Sequence, residues 1–211
     1  PETPPQAASS SASSATEVPT QQNAEGITLV TCHANADFDA FAGMLAARFL
    51  YAPHVLLFPG TQERGLQKLV AGLDLPALGI VETAAIPWKD ITRLVVVDTR
   101  QRGRISHVAQ LLDRDDVTVE LWDHHPDSTD DITSPHTHMA HIGSVTSLIV
   151  QAIAGRGLSL SADDATLLGL GIYGDTGSFT YSSTTQADFQ AAAWLLGMGM
   201  DVNRIDALAA H

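Results

Sequence analysis

The 211-residue chain has a single cysteine, Cys32, which excludes an internal disulfide framework and any zinc site built from several thiolates. A lone cysteine in a β-branched run is expected to be a small buried hydrophobe, and its scarcity fits a reducing, cytoplasmic setting. Basic residues are also few: 11 Lys and Arg stand against 24 Asp and Glu, a formal net charge of −13. Surfaces that coat duplex DNA are usually basic, so a large duplex-binding role is disfavoured. No apolar run reaches the roughly 18 residues that a membrane-spanning helix needs, and no signal peptide is visible. The chain has no initiating Met and ends in "IDALAAH", inside a helical pattern; the expectation is a piece of a longer protein. The acid surplus has two explanations, solubility or acids gathered around cations, and where the acids fall decides between them.

A hydrophobic content of 45% permits a sizeable core. Residues 1–25 are Pro, Ser, Ala, Thr and Gln without apolar periodicity, and are expected to be a flexible tail or linker. Residues 26–211 are read as one folded domain. Strand-like runs are "GITLVTC", "HVLLF", "RLVVVDT" and "VTVELWD", with "LGIVE" and "THMAHIG" as shorter candidates. Between and after them come helical patterns: "DAFAGMLAARFLY", "TQERGLQKLVAGL", "SVTSLIVQAIAG", "SADDATLLGLGIYGDTG", "TQADFQAAAWLLGMG" and "DVNRIDALAA". Strands apolar on both faces and alternating with helices predict an α/β domain, a mostly parallel sheet with helices on both faces.

In such sheets ligands bind beyond the carboxyl ends of the strands. The residues that follow the strands are therefore informative. After the first comes His33-x3-Asp37-x-Asp39, after "RLVVV" comes Asp98, and "VTVELW" runs into Asp123, His124 and His125. Asp39 could equally cap a helix, and Asp37 shape a turn. His124 and His125 are adjacent, so along an extended chain they point oppositely; Asp123 is suited to orienting a neighbour. Asp175 sits in "GIYGDTGSF", where glycines leave room for a close ligand. Together these residues offer more oxygen and imidazole ligands than one ion needs. Two divalent ions sharing a carboxylate fit better, with Mn²⁺ first and Mg²⁺ or Co²⁺ as alternatives. Gly143 and Ser144 open a helix and form a candidate anion site, although Ser144 also reads as a plain cap. Arg100, Arg102 and Arg104 are candidate phosphate contacts or a solvated turn. His136, His138 and His141 lack accompanying acids and read as surface or structural residues.

The ordered stretches "TLVTCHANADFDAFAGM", "LVVVDT", "WDHHPD" and "GIYGDTGSFTYSSTT", spanning residue 27 to about 185, resemble the four motifs of the DHH phosphoesterase superfamily. The resemblance implies a parallel α/β domain that hydrolyses phosphoester or phosphoanhydride bonds with two metals, usually Mn²⁺. It implies that His33 and Asp37 bind the first metal, that Asp39, His124 and Asp175 bind the second, that Asp98 bridges them, and that His125 contacts the substrate phosphate. Asp98, Asp123 and His125 are the expected catalytic set. Ala36 stands where the family often has Pro or Thr, and every ligand position is retained.

A second domain that closes over the site and selects substrate is usual in the family and is not seen in these residues. "VVVDTRQRGRI" with "DHHPDS" is similar to DHH domains fused to CBS pairs and tRNA nucleotidyltransferase or poly(A) polymerase regions. The expected partner is therefore a phosphate-containing small molecule or short oligonucleotide, within a larger protein of RNA 3′-end processing. The reading leaves room for a homodimer. The alternative is a regulatory module that binds nucleotide or metal without turnover.

Overall fold

Five runs become strands: the largely apolar β1 (Ile27–Cys32), β2 (His54–Leu57), β3 (Ile91–Val97) and β4 (Thr118–Asp123), and the polar, mostly exposed edge strand β5 (His136–Met139). They form one sheet in the order β2-β1-β3-β4-β5, and every pairing is parallel. This structure, a computed structural model, describes residues 26–209; the tail expected at 1–25 lies outside the described residues. The central strands carry apolar side chains to both faces, as buried parallel strands must. Val30, Cys32, Val95 and Val97 enter one core cluster, while Leu29, Leu94 and Val96 enter the other.

The two faces are covered unequally. The first cluster takes in residues of α1 (Phe38–Ala47), α2 (Arg64–Val70), α4 (Val145–Gly155), α5 (Ala162–Thr176), α6 (Gln186–Gly197) and α7 (Val202–Ala209). The second is closed by the 3₁₀ segment Arg102–Val108 and the short α3 (Ala109–Leu112), through Ile105, Val108 and Leu111. That segment carries no helical period in the sequence because it is a 3₁₀ turn with non-helical backbone at Ile105. The short strand expected at "LGIVE" is reduced to one bridge between Ile80 and Leu56, flanked by 3₁₀ turns.

Apart from Asp39, helix α1 is apolar all round, so it has to be buried all round; every residue from Asp39 to Ala47 is. It packs against β1 and β3 and also touches α4 and α5. Glycines make that fit possible. A Cβ on Gly43 would lie 2.7 Å from Val97 Cγ1, and one on Gly171 would lie 2.5 Å from Ala42 Cβ and 2.6 Å from Thr146 Oγ1. Strand order reverses between β1 and β3, since β2 lies outside β1 and β4 outside β3. Such a reversal opens a crevice at the carboxyl ends of the two strands, and His33 and Asp98 are the residues that step out of them.

Candidate metal centre

Asp98 leaves β3 with φ +66°, in the left-handed region that Asp and Asn enter more readily than other side chains. Its Oδ2 lies 3.1 Å from His33 Nε2, and its Oδ1 lies 3.3 Å from His124 Nε2. Asp37 caps α1, accepting from Ala40 N at 2.9 Å through Oδ1, while its Oδ2 stands 3.9 Å from His33 Nε2. The cap is Asp37 rather than Asp39. Asp39 lies inside α1, fully buried, and accepts from the first two amides of α4: Val145 N at 2.7 Å and Thr146 N at 3.0 Å. His124 Nε2 is 3.6 Å from Asp39 Oδ2 and 3.3 Å from Asp175 Oδ2, in the last turn of α5. The glycines of α5 near Asp175 leave room for α1 rather than for a ligand: a Cβ at Gly174 would press on Phe38 at 3.2 Å.

The structure thus brings His33, Asp37, Asp39, Asp98, His124 and Asp175 together. Two groups have ligand atoms within 4.8 Å of one another: His33, Asp37 and Asp98 on one side, Asp39, His124 and Asp175 on the other. Asp98 also groups with His124 and His125, which places it between the two sides. Asp98 Oδ1 and His124 Nε2 are buried and make no hydrogen bond. His124 Nδ1 lies 3.1 Å from the Ile142 carbonyl, which can only accept, so this nitrogen carries a proton. Unpaired buried polar atoms cost free energy, and a pair of them facing one another among four carboxylates fits a divalent cation.

Electrostatics agree. Burial, reinforced by Asp98, raises Asp37 to about 6. Burial and the charges of Asp175 and Asp98 raise Asp39 well above the carboxylate range. Burial would also raise Asp98, but His124 and His33 outweigh it and hold Asp98 near 2. Burial disfavours a charged His124, yet Asp175, Asp98 and Asp39 push it to about 12. Without a cation, this edge holds protons in place of positive charge.

The remaining candidates separate clearly. His125 is half exposed; its Nδ1 donates to Asp123 Oδ1 at 2.7 Å, and that bond raises its pKa. Asp123 is buried and also accepts from the backbone N of His124 at 2.9 Å. Arg100 does not face the cluster. Its Nε donates to Asp123 Oδ2 at 3.0 Å, Nη1 approaches Asp127 and Asp131 at 2.9 and 3.0 Å, and Nη2 donates to the His125 carbonyl at 2.8 Å. Arg102 pairs with exposed Asp113. Arg104 reaches the site, with Nη2 2.9 Å from His33 Nδ1, and lines a cavity of about 180 Å³ together with Asp123 and His125. The helix start at Gly143 and Ser144 is already filled: Asp39 takes two amides of α4, Ser144 Oγ takes Ser147 N, and Asp188 takes Gly143 N. His138 Nε2 donates to Glu120 Oε1 at 2.9 Å, and the ring stacks on Trp122. His136 and His141 are exposed.

Asp188 is the residue that sequence reasoning missed. Thr185-x-x-Asp188 has capping-box spacing, which signals a helix start and says nothing of Gly143.

No protein-family model matches the chain. The A-adding tRNA nucleotidyltransferase of Geobacter sulfurreducens is 38% identical over 175 residues, 83% of this chain and 20% of that protein. The probable bifunctional oligoribonuclease and PAP phosphatase NrnA of Streptococcus mutans serotype c is 34% identical over 137 residues, 63% of this chain and 42% of that protein. The chain therefore spans less than half the length of either relative. The solved structure of an exopolyphosphatase-related protein from Bacteroides fragilis matches with a TM-score of 0.70 at 21% identity, covering 87% of this chain and 56% of that one; this likeness shows the fold. Taken with the four ordered motifs, whose polar residues meet at one edge of a parallel sheet, the two curated relatives establish that the chain belongs to the DHH phosphoesterase superfamily.

Proposed function

We propose that this domain hydrolyses a phosphoester or phosphoanhydride bond in a nucleotide or short-RNA substrate, with two divalent cations, Mn²⁺ first among them. The observation that carries the proposal is the facing pair Asp98 Oδ1 and His124 Nε2, buried, 3.3 Å apart and without hydrogen bonds. His33, Asp37 and Asp98 would hold one cation; Asp39, His124, Asp175 and the shared Asp98 would hold the other. When bound, such a pair lowers the pKa of a water and polarises phosphoryl oxygens.

The chain's own groups do the rest. His124 donates through Nδ1 to Ile142, which leaves Nε2 free as a ligand. His33 does the same when its Nδ1 proton goes to the Ala34 carbonyl, 2.9 Å away. In that tautomer Nδ1 no longer accepts from Arg104, and the guanidinium is available to the adjoining cavity. His125, held by Asp123 and half exposed, presents its Nε2 side to solvent. It contacts the phosphate, and the Asp123 bond, which raises its pKa, favours a protonated ring facing the developing charge. Arg100 braces this loop through Asp123, Asp131 and the His125 carbonyl, and it lines the same cavity as Arg104, so it stays a candidate phosphate contact. That the A-adding and oligoribonuclease relatives are named for RNA and nucleotide chemistry supports the substrate class; a role in RNA 3′-end processing belongs to the same proposal.

The test is metal-stripped protein supplied with Mn²⁺ and a panel of cyclic di-AMP, pApA, phosphoadenosine phosphate, pyrophosphate and bis-p-nitrophenyl phosphate. Release of product that EDTA abolishes is expected. Saturable binding without product across the panel would replace hydrolysis with a regulatory binding role.

A further inference from the structure

Three buried side-chain atoms lack hydrogen-bond partners among the described residues, and the third lies outside the cluster: Asp188 Oδ1, in the first turn of α6. The carboxylate is fully buried. Its Oδ2 accepts from Thr185 N and Thr185 Oγ1, each at 2.8 Å, which is the local cap of α6. It also accepts from Gly143 N at 2.9 Å, a residue 45 positions away. Capping has no need of that third bond.

The Gly143 N–H and the Ile142 carbonyl belong to one peptide group, and the Ile142 carbonyl accepts from His124 Nδ1 at 3.1 Å. A carboxylate, an amide and an imidazole therefore stand in series, with His124 Nε2 at the far end facing Asp39, Asp98 and Asp175. The approach requires glycine: a Cβ at residue 143 would lie 2.8 Å from Asp188 Oδ2 and 3.0 Å from Thr176 Cγ2.

We propose that Asp188 is a positioning residue for the metal centre, acting on His124 through the 142–143 peptide; this rests on the two-cation reading. Negative charge on the N–H side polarises the amide and strengthens its carbonyl as an acceptor, because hydrogen bonds in a chain reinforce one another. The stronger acceptor keeps the His124 proton on Nδ1, holds the ring plane, and makes Nε2 a better donor to a cation. Outer partners of metal-bound histidines commonly set affinity by about 10–100-fold.

The experiment titrates Mn²⁺ into the metal-stripped chain by calorimetry and, separately, follows exchange of the His124 Nδ1–H by ¹⁵N NMR without metal. Asp188→Asn is expected to weaken one Mn²⁺ site about tenfold and to speed Nδ1–H exchange. Gly143→Ala, which displaces the carboxylate without removing its charge, is expected to act in the same direction. Thr185→Ala removes a cap hydroxyl but leaves the Gly143 bond, so it is expected to lower Tm with wild-type Mn²⁺ affinity. Wild-type Mn²⁺ affinity and exchange in a folded Asp188→Asn would overturn the role of Asp188 alone. Equal weakening by Thr185→Ala would also overturn it, placing the effect in the α6 cap. A wild-type chain that takes up no Mn²⁺ would overturn the two-cation reading and this inference with it.

Discussion

Replacing Asp98 by Asn tests the shared ligand while sparing the backbone. At φ +66° Asn is tolerated about as well as Asp, whereas Ala would pay roughly 1–2 kcal/mol for the left-handed conformation. In the metal-free protein the change exchanges charge-assisted contacts with His124 and His33 for neutral ones, a loss of about 1–3 kcal/mol. Relief of repulsion with Asp37 and Asp39, both raised in pKa by the Asp98 charge, offsets part of that. The fold is therefore expected to melt at most about 8 °C below wild type in EDTA. Mn²⁺ tells the other half. If outer partners are worth 10–100-fold, a direct shared ligand is worth at least about 100-fold. At a concentration about 1,000 times the wild-type Kd, bound metal adds about 4.1 kcal/mol; after a 100-fold loss it adds about 1.4 kcal/mol. The missing 2.7 kcal/mol or so corresponds to roughly 5–11 °C of Mn²⁺-induced Tm gain for a domain of this size. Scanning calorimetry with and without Mn²⁺ measures it, alongside turnover, which is expected to vanish. An unchanged Mn²⁺-induced gain, or near-wild-type turnover, would remove Asp98 from the shared position.

Arg100→Ala leaves Oδ2 of the buried Asp123 without its cation while Oδ1 keeps His125 and the His124 amide, and is expected to cost about 1.5–3 kcal/mol in urea melts. Asp127 is almost fully exposed, so its bond adds little to that figure. Arg100→Lys is expected to recover only part, because one ammonium cannot serve the fork of acceptors. In EDTA, stability is expected to fall as pH rises. The raised Asp37 loses its contribution between the ordinary carboxylate range and about 6. Raised His124 begins to lose its own above about 6.5, where the unfolded imidazole has already released its proton. Lowered Asp98 acts oppositely below about pH 4, and buried His107, lowered by desolvation, acts oppositely up to about 6.5, so the fall is clearest above that. A Tm that climbs from about pH 6.5 to 8 in EDTA would contradict these directions. Gly171→Ala is expected to push α5 off α1, costing about 1–3 kcal/mol and weakening Mn²⁺ binding through Asp175; calorimetric melting and titration check both.

Much of the architecture was legible locally. Runs such as "RLVVVDT" are apolar on both faces and of strand length, and only burial in a covered parallel sheet accommodates several of them. The extent of α4 followed from apolar spacing and from Ser144 at its start; α1 was found by its apolar spacing, but it starts one residue earlier and ends four residues sooner than the pattern suggested, and its cap is Asp37. The 3₁₀ stretch at Arg102–Val108 and the single bridge at Ile80 were not legible, because neither has a period to detect. The motif positions were legible because each follows a strand or ends a helix, and chain order alone puts strand ends on one edge.

Partnership is what local pattern could not supply. The helix start at Ser144 reads the same whether a ligand or the protein's own Asp39 fills it, and Asp39 arrives from 106 residues away. Arg100 and Arg104 look equivalent in "DTRQRGRI", yet one is buried against Asp123 and the other reaches His33. Asp188 looks like a cap until Gly143 is folded against it. Residue type and spacing determined the elements and the edge on which the acids and histidines stand, since those depend on short-range sterics and burial. Only the tertiary structure decided which carboxylate meets which amide, imidazole or guanidinium, because a hydrogen bond requires contact within about 3 Å between groups whose separation along the chain carries no such information.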